Sequence, residues 1–140
     1  MKLVLDTNAL WEPALWKALI AAKDLGAMDD GRLSAVLPCV AYAERVRQIR
    51  RDAKDVVMWK EKLAQAGVVV EPFDTKQAER LPEEAHRNDL WSRHARDMMV
   101  AAHVEADRTL VTADNGPAWS GLRRVLPADA ARHVQALVEL

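Results

Sequence analysis

Apolar residues in this chain follow two rhythms. The runs "KLVLD", "LSAVLP", "VVVEPF" and "RTLVTADNG" are short, apolar through their centres and rich in Val and Leu. Runs of that kind predict strands buried on both faces. "LRRVLP" predicts a shorter fifth strand. Between them the apolar positions recur at helical spacing. From Asn8 to about Leu25, Trp11, Leu15, Ala18 and Ala22 share one stripe, with Leu10, Ala14 and Ala21 beside it and Pro13 in the first turns, where proline is tolerated.

The same rhythm predicts helices over "CVAYAERVRQIRR", which carries cations at its far end, and over "AKDVVMWKEKLAQAG", which stops at Gly67. An Asp-Thr turn follows at Asp74 and Thr75, then a polar helix from Lys76 to Asn88. "WSRHARDMMVAAHVEAD" and "ADAARHVQALVEL" complete the helices. Strands alternating with helices argue for an α/β fold: one domain over residues 1–140, with a mainly parallel four- to five-stranded sheet flanked by helices.

Composition narrows the function classes. Twenty basic against twenty-one acidic side chains give a net charge of -1, so any contact with nucleic acid must be local. A single cysteine, Cys39, precludes an internal disulfide and reads as a small buried hydrophobe. "MKLVLDTN" meets an acid too soon for a signal peptide, and no apolar run approaches the roughly 20 residues of a membrane span. A soluble cytoplasmic protein is expected.

In open parallel sheets, ligands bind beyond the carboxyl ends of the strands. Asp6 follows strand one in "VLDTN" and Asp114 follows strand four in "LVTADNG", so both belong at one sheet edge. Glu44 lies in the first half of the helix after strand two. Asp97 is expected near the start of the helix leading to strand four, on a face shared with Val100, Ala101 and Val104.

If the four carboxylates converge, each pair at about 4 Å repels by roughly 4 kcal/mol at an effective dielectric of 20. A hard divalent cation relieves that repulsion, and an all-oxygen set suits Mg²⁺ or Mn²⁺. Metal-assisted phosphodiester hydrolysis is the chemistry such a site supports.

Each residue alone has a plainer explanation. "LDTN" and "TADNG" are ordinary turn and cap chemistry, Glu44 can be a solvated helix residue, and Asp97 can pair with Arg93 or Arg96. His86, His94, His103 and His133 make no zinc pattern. The five tryptophans read as core or interface packing rather than base-stacking platforms. Arg45, Arg93 and Arg96 lie near the proposed ligands and are candidate RNA-phosphate contacts.

With these residues in view, the chain resembles the PIN-domain ribonucleases, most closely the VapC-type toxins of type II toxin-antitoxin modules. The resemblance spans nearly the whole chain and rests on "LVLDTNAL", on Glu44 in "LPCVAYAERVRQ", and above all on "RDMMVAAHVEADRTLVTADNG". It implies a Mg²⁺ or Mn²⁺ site made by Asp6, Glu44, Asp97 and Asp114, supported by Asn8, Thr112 and Asn115. It implies hydrolysis of single-stranded regions of structured RNA, a homodimer, and a cognate antitoxin whose C-terminal segment covers the groove, often placing a basic side chain among the acids.

The sequence departs from the family pattern after the fourth acid, where "NGPAWSG" offers no further acidic ligand. The rival expectation is a non-catalytic PIN-like module that binds RNA or protein, with the acids kept as structural caps. A haloacid-dehalogenase-like phosphatase is weaker, because it would want a second Asp where Asn8 stands, and no glycine-rich phosphate loop appears.

Overall fold

A computed structural model describes residues 1–139 and shows one parallel sheet of five strands: β1 (Lys2–Leu5), β2 (Ser34–Pro38), β3 (Val68–Glu71), β4 (Thr109–Val111) and β5 (Arg124–Val125). Their spatial order is β3-β2-β1-β4-β5. Six α-helices accompany them: α1 (Pro13–Asp24), α2 (Cys39–Arg51), α3 (Val56–Gln65), α4 (Thr75–Ala78), α5 (Asn88–Ala101) and α6 (Pro127–Val138). The chain winds outward from β1 to β3, then returns to the other side of β1 for β4 and β5. The strand order therefore reverses between β1 and β4, and the carboxyl ends of those two strands flank the crevice that such a reversal opens.

Alternation along β1 builds two cores. Leu3 and Leu5 face a layer containing Leu15 and Leu19 of α1, Ile49 of α2, Leu63 of α3 and Val134 of α6. Val4 points the other way, against Met98 and Val100 of α5, with Leu110 and Trp119. Val4 and Leu5 are at most 1% exposed. A buried Leu or Val contributes about 1.5–3 kcal/mol, so the register of β1, and with it the position of Asp6, is strongly held.

The predicted strands and most of the predicted helices form, with three differences. The helix expected from Asn8 to Leu25 is broken: Thr7–Trp11 is a 3-10 turn, Glu12 is extended, and α1 begins at Pro13. Proline pushes the residue before it out of the helical region, and the Glu12 carboxylate caps the new start by accepting from the Ala14 N–H. Trp11 consequently falls out of phase with the buried Leu15, Ala18 and Ala22 and is 56% exposed; Ala14 and Ala21 are also exposed.

The polar segment from Lys76 to Asn88 is no continuous helix. Asp74 and Gln77 form a capping box around the single turn of α4, and after Pro82 only a 3-10 turn, Glu83–His86, follows. Finally, α5 starts at Asn88, kinks at His94 (φ -129, ψ 16) and ends at Ala101, short of Val104.

Trp16, Trp59 and Trp119 are buried, and Trp16 meets Trp59 edge to face at 5.6 Å. Cys39 is half-buried, and its Sγ accepts a hydrogen bond from the Phe73 N–H. His103 is buried against Glu71, a packing role. Among the described residues, no helix is long and apolar enough to cross a membrane.

Candidate active site

The switch point is sutured by three side chains. Asp6 is wholly buried at the end of β1, where it caps the 3-10 turn: its Oδ1 accepts from the Thr7 N–H at 2.8 Å. Its Oδ2 accepts from the Thr112 hydroxyl at 2.9 Å and from Asn8 Nδ2 at 3.3 Å. Thr112, equally buried after β4, accepts in turn from the Asp114 N–H and from Asn8 Nδ2, both at 3.1 Å. Asn8 spans the gap, with Nδ2 donating to Asp114 Oδ2 at 2.9 Å and Oδ1 accepting from the Ala113 N–H at 2.9 Å. Asp6 and Asp114 thus share one sheet edge, joined through the amide of Asn8.

Glu44 on α2 and Asp97 on α5 reach the same place, and what joins them is Arg96. Its guanidinium donates from Nε to Glu44 Oε2 at 2.5 Å, from Nη1 to Asp97 Oδ1 at 2.6 Å, and from Nη2 to Asp6 Oδ1 at 2.7 Å. Nη2 also donates to the Thr7 hydroxyl at 2.5 Å. Burial opposes the charge on Arg96, but the Asp6 carboxylate, the hydrogen bonds to Asp97 and Asp6, and the charge of Glu44 outweigh it and raise its pKa above the ordinary arginine value. One cation bridges three of the four carboxylates.

Among the described residues, no three Asp, Glu, His or Cys side chains gather as a metal-holding group. The acceptors around the crevice, carboxylates of Asp6, Glu44 and Asp114 with the Thr7 hydroxyl and the Asn8 and Gln48 amides, are oxygens of the kind a hard cation takes, and Arg96 lies among them. That crevice, about 230 Å³, is lined by Asp6, Asn8, Trp11, Glu44, Arg96 and Asp114, among others.

Several expectations shift. Asp97 lies in the first turn of the helical stretch that begins after the His94 kink in α5, near a helix start as expected, and its carboxylate pairs with Arg96. Of its two candidate ion-pair partners, Arg96 is the one engaged, whereas Arg93 is exposed and bonds the Asp89 carbonyl. Arg45 lies 4.2 Å from the Trp11 ring and 5.4 Å from that of Trp59, and burial lowers its pKa. Asn115 is exposed and lines a separate cleft with Gly116 and Trp119.

Sequence reasoning missed the crevice-lining roles of Thr7, Trp11 and Gln48, and the reach of Arg96 beyond its neighbour Asp97. Adjacency signalled only the Arg96–Asp97 pair.

No protein-family profile and no curated protein matches this sequence. Among solved structures, the chain resembles a chain in the crystal structure of VapBC2 from Rickettsia felis bound to a DNA fragment from their promoter. The TM-score is 0.54 at 17% sequence identity, over 90% of this chain and 98% of that one. At that identity the likeness shows a shared fold.

Proposed function

We propose that this protein is a metal-dependent ribonuclease of the PIN type, acting as the VapC-like toxin of a toxin-antitoxin pair. The observation that carries the reading is the placing of Asp6, Glu44 and Asp97 around Arg96, with Asp114 joined to Asp6 through Asn8, at the switch point of the sheet, over a fold shared with a chain of the VapBC2 complex. In this reading those four residues hold Mg²⁺ or Mn²⁺, which when bound activates water and offsets charge on the phosphate.

The protein's own groups supply the rest. Asn8 and Thr112 fix the Asp6 carboxylate, leaving it no freedom to rotate. Glu44, about one-third exposed, and Asp97 orient the attacking water and accept its proton. Arg93, exposed on α5, and Arg45, half-buried against the crevice-lining Trp11, meet the RNA backbone. A cognate antitoxin is the expected partner and a second copy the expected dimer mate.

Asp97→Asn is the decisive variant, because Asp97 is part-exposed and its hydrogen-bond donor is Arg96, whereas Asp6 anchors the fold. We expect Mn²⁺-dependent cleavage of a structured RNA to fall at least about 100-fold with Tm little changed. Full activity in Asp97→Asn rejects the assignment. One observation favours the rival, a non-catalytic binding module: Arg96 ion-pairs with three of the acids and offsets part of their charge. A chain that neither cleaves RNA nor gains stability with Mg²⁺ is that module.

A further inference from the structure

We propose that Arg96 is the resident cation of the acid cluster, and that a divalent ion enters only by exchanging with it. The inference rests on the metal-nuclease reading and concerns how that site loads.

A carboxylate offers about four acceptor directions, and Asp6 has four donors: the Thr7 N–H, the Thr112 hydroxyl, Asn8 Nδ2 and Arg96 Nη2. No direction is left for a metal until one donor departs. The Thr7 N–H is main chain, Thr112 is wholly buried, and Asn8 is tied to Ala113 and Asp114. Only Arg96 is a long, flexible side chain, and about a third of it is exposed.

The same guanidinium occupies one oxygen each of Glu44 and Asp97. Rotation of this one side chain therefore frees an oxygen on Asp6, Glu44 and Asp97 together. Those acids, stripped of their counter-charge, then repel one another and favour a divalent replacement. With Arg96 in place, the cluster is held assembled and closed to metal.

The test is Mn²⁺ binding to the purified full chain, by calorimetry without RNA. Arg96→Gln is expected to bind Mn²⁺ roughly tenfold or more tighter than the natural sequence, equivalent to about 1.4 kcal/mol. Arg96→Lys, which keeps the charge but loses the fork that bridges three carboxylates, should fall between them. Equal or weaker binding by Arg96→Gln overturns the exchange.

Should Arg96→Gln fail to fold without metal, nitrogen-labelled arginine in the natural sequence provides the readout. The Arg96 Nε–H, bonded to Glu44, should lose its protection from water at saturating Mg²⁺; retained protection overturns the proposal.

RNA cleavage is scored separately. Tight Mn²⁺ binding by Arg96→Gln with no cleavage by either protein removes the nuclease reading and leaves the exchange standing. Cleavage by the natural sequence with equal Mn²⁺ affinities removes the exchange alone. Absence of Mn²⁺ binding in both proteins removes both.

Discussion

Thr112→Val removes one hydroxyl from the centre of the site while nearly preserving shape. That hydroxyl is fully buried, donates to Asp6 at 2.9 Å, and accepts from Asn8 and from the Asp114 N–H at 3.1 Å each. A bond to a charged group contributes about 1.5–3 kcal/mol and a neutral one about 1 kcal/mol. Asn8 retains its bonds to Asp6 and Asp114, which offsets part of the loss. The part-buried Asp114 N–H bond has no such substitute. We expect a net cost of about 3 kcal/mol, a large share of the 5–15 kcal/mol typical of a domain.

Urea unfolding measures it, as a lower midpoint at unchanged slope. Thr112→Ser keeps the hydroxyl and loses one methyl, so it should cost only about 1 kcal/mol. A Thr112→Val cost below about 1 kcal/mol, or an equal cost for the serine variant, refutes the claim that hydrogen bonding rather than packing joins β1 to β4 here.

Other outcomes follow from the same structure. Burial opposes ionisation of Glu71, but hydrogen bonds from Arg108 and His103 outweigh it and hold its pKa below the ordinary 4.5. Its stabilising contribution is therefore complete above about pH 4.5 and is lost as pH falls through the lowered value. Glu71→Gln should unfold more readily at neutral pH and show a flatter Tm profile on acidification, measured by thermal scans from pH 7 to pH 3; parallel profiles contradict this. Gly67 adopts φ +68 after α3, a left-handed conformation that strains any side chain, and an added Cβ would also displace Met28 Sδ. Gly67→Ala should cost at least about 1–2 kcal/mol in chemical denaturation, and a neutral result contradicts the strain.

The strand runs sit where expected, but burial on both faces holds only for the central strands: at the sheet edge β3 leaves Val69 63% exposed. Helix boundaries were less legible. Pro13 was read as tolerated within a helix, but it started a new one and turned Trp11 outward. The polar segment after Lys76 had no apolar stripe to bind it to the core, and Pro82 interrupted it. The kink at His94 left no mark in the spacing of apolar residues around it.

By itself, the sequence determined the α/β class and the placing of Asp6 and Asp114 beyond two strands, because strand polarity and side-chain alternation are local properties. It also supplied Arg96 beside Asp97 as a possible ion pair. Only the tertiary structure decided that β1 and β4 are neighbours, that Asn8 bridges them, and that Arg96 reaches Asp6 and Glu44, 90 and 52 positions away. Those contacts depend on how α2 and α5 pack over the sheet edge, and apolar periodicity does not encode which polar group fills the space between them.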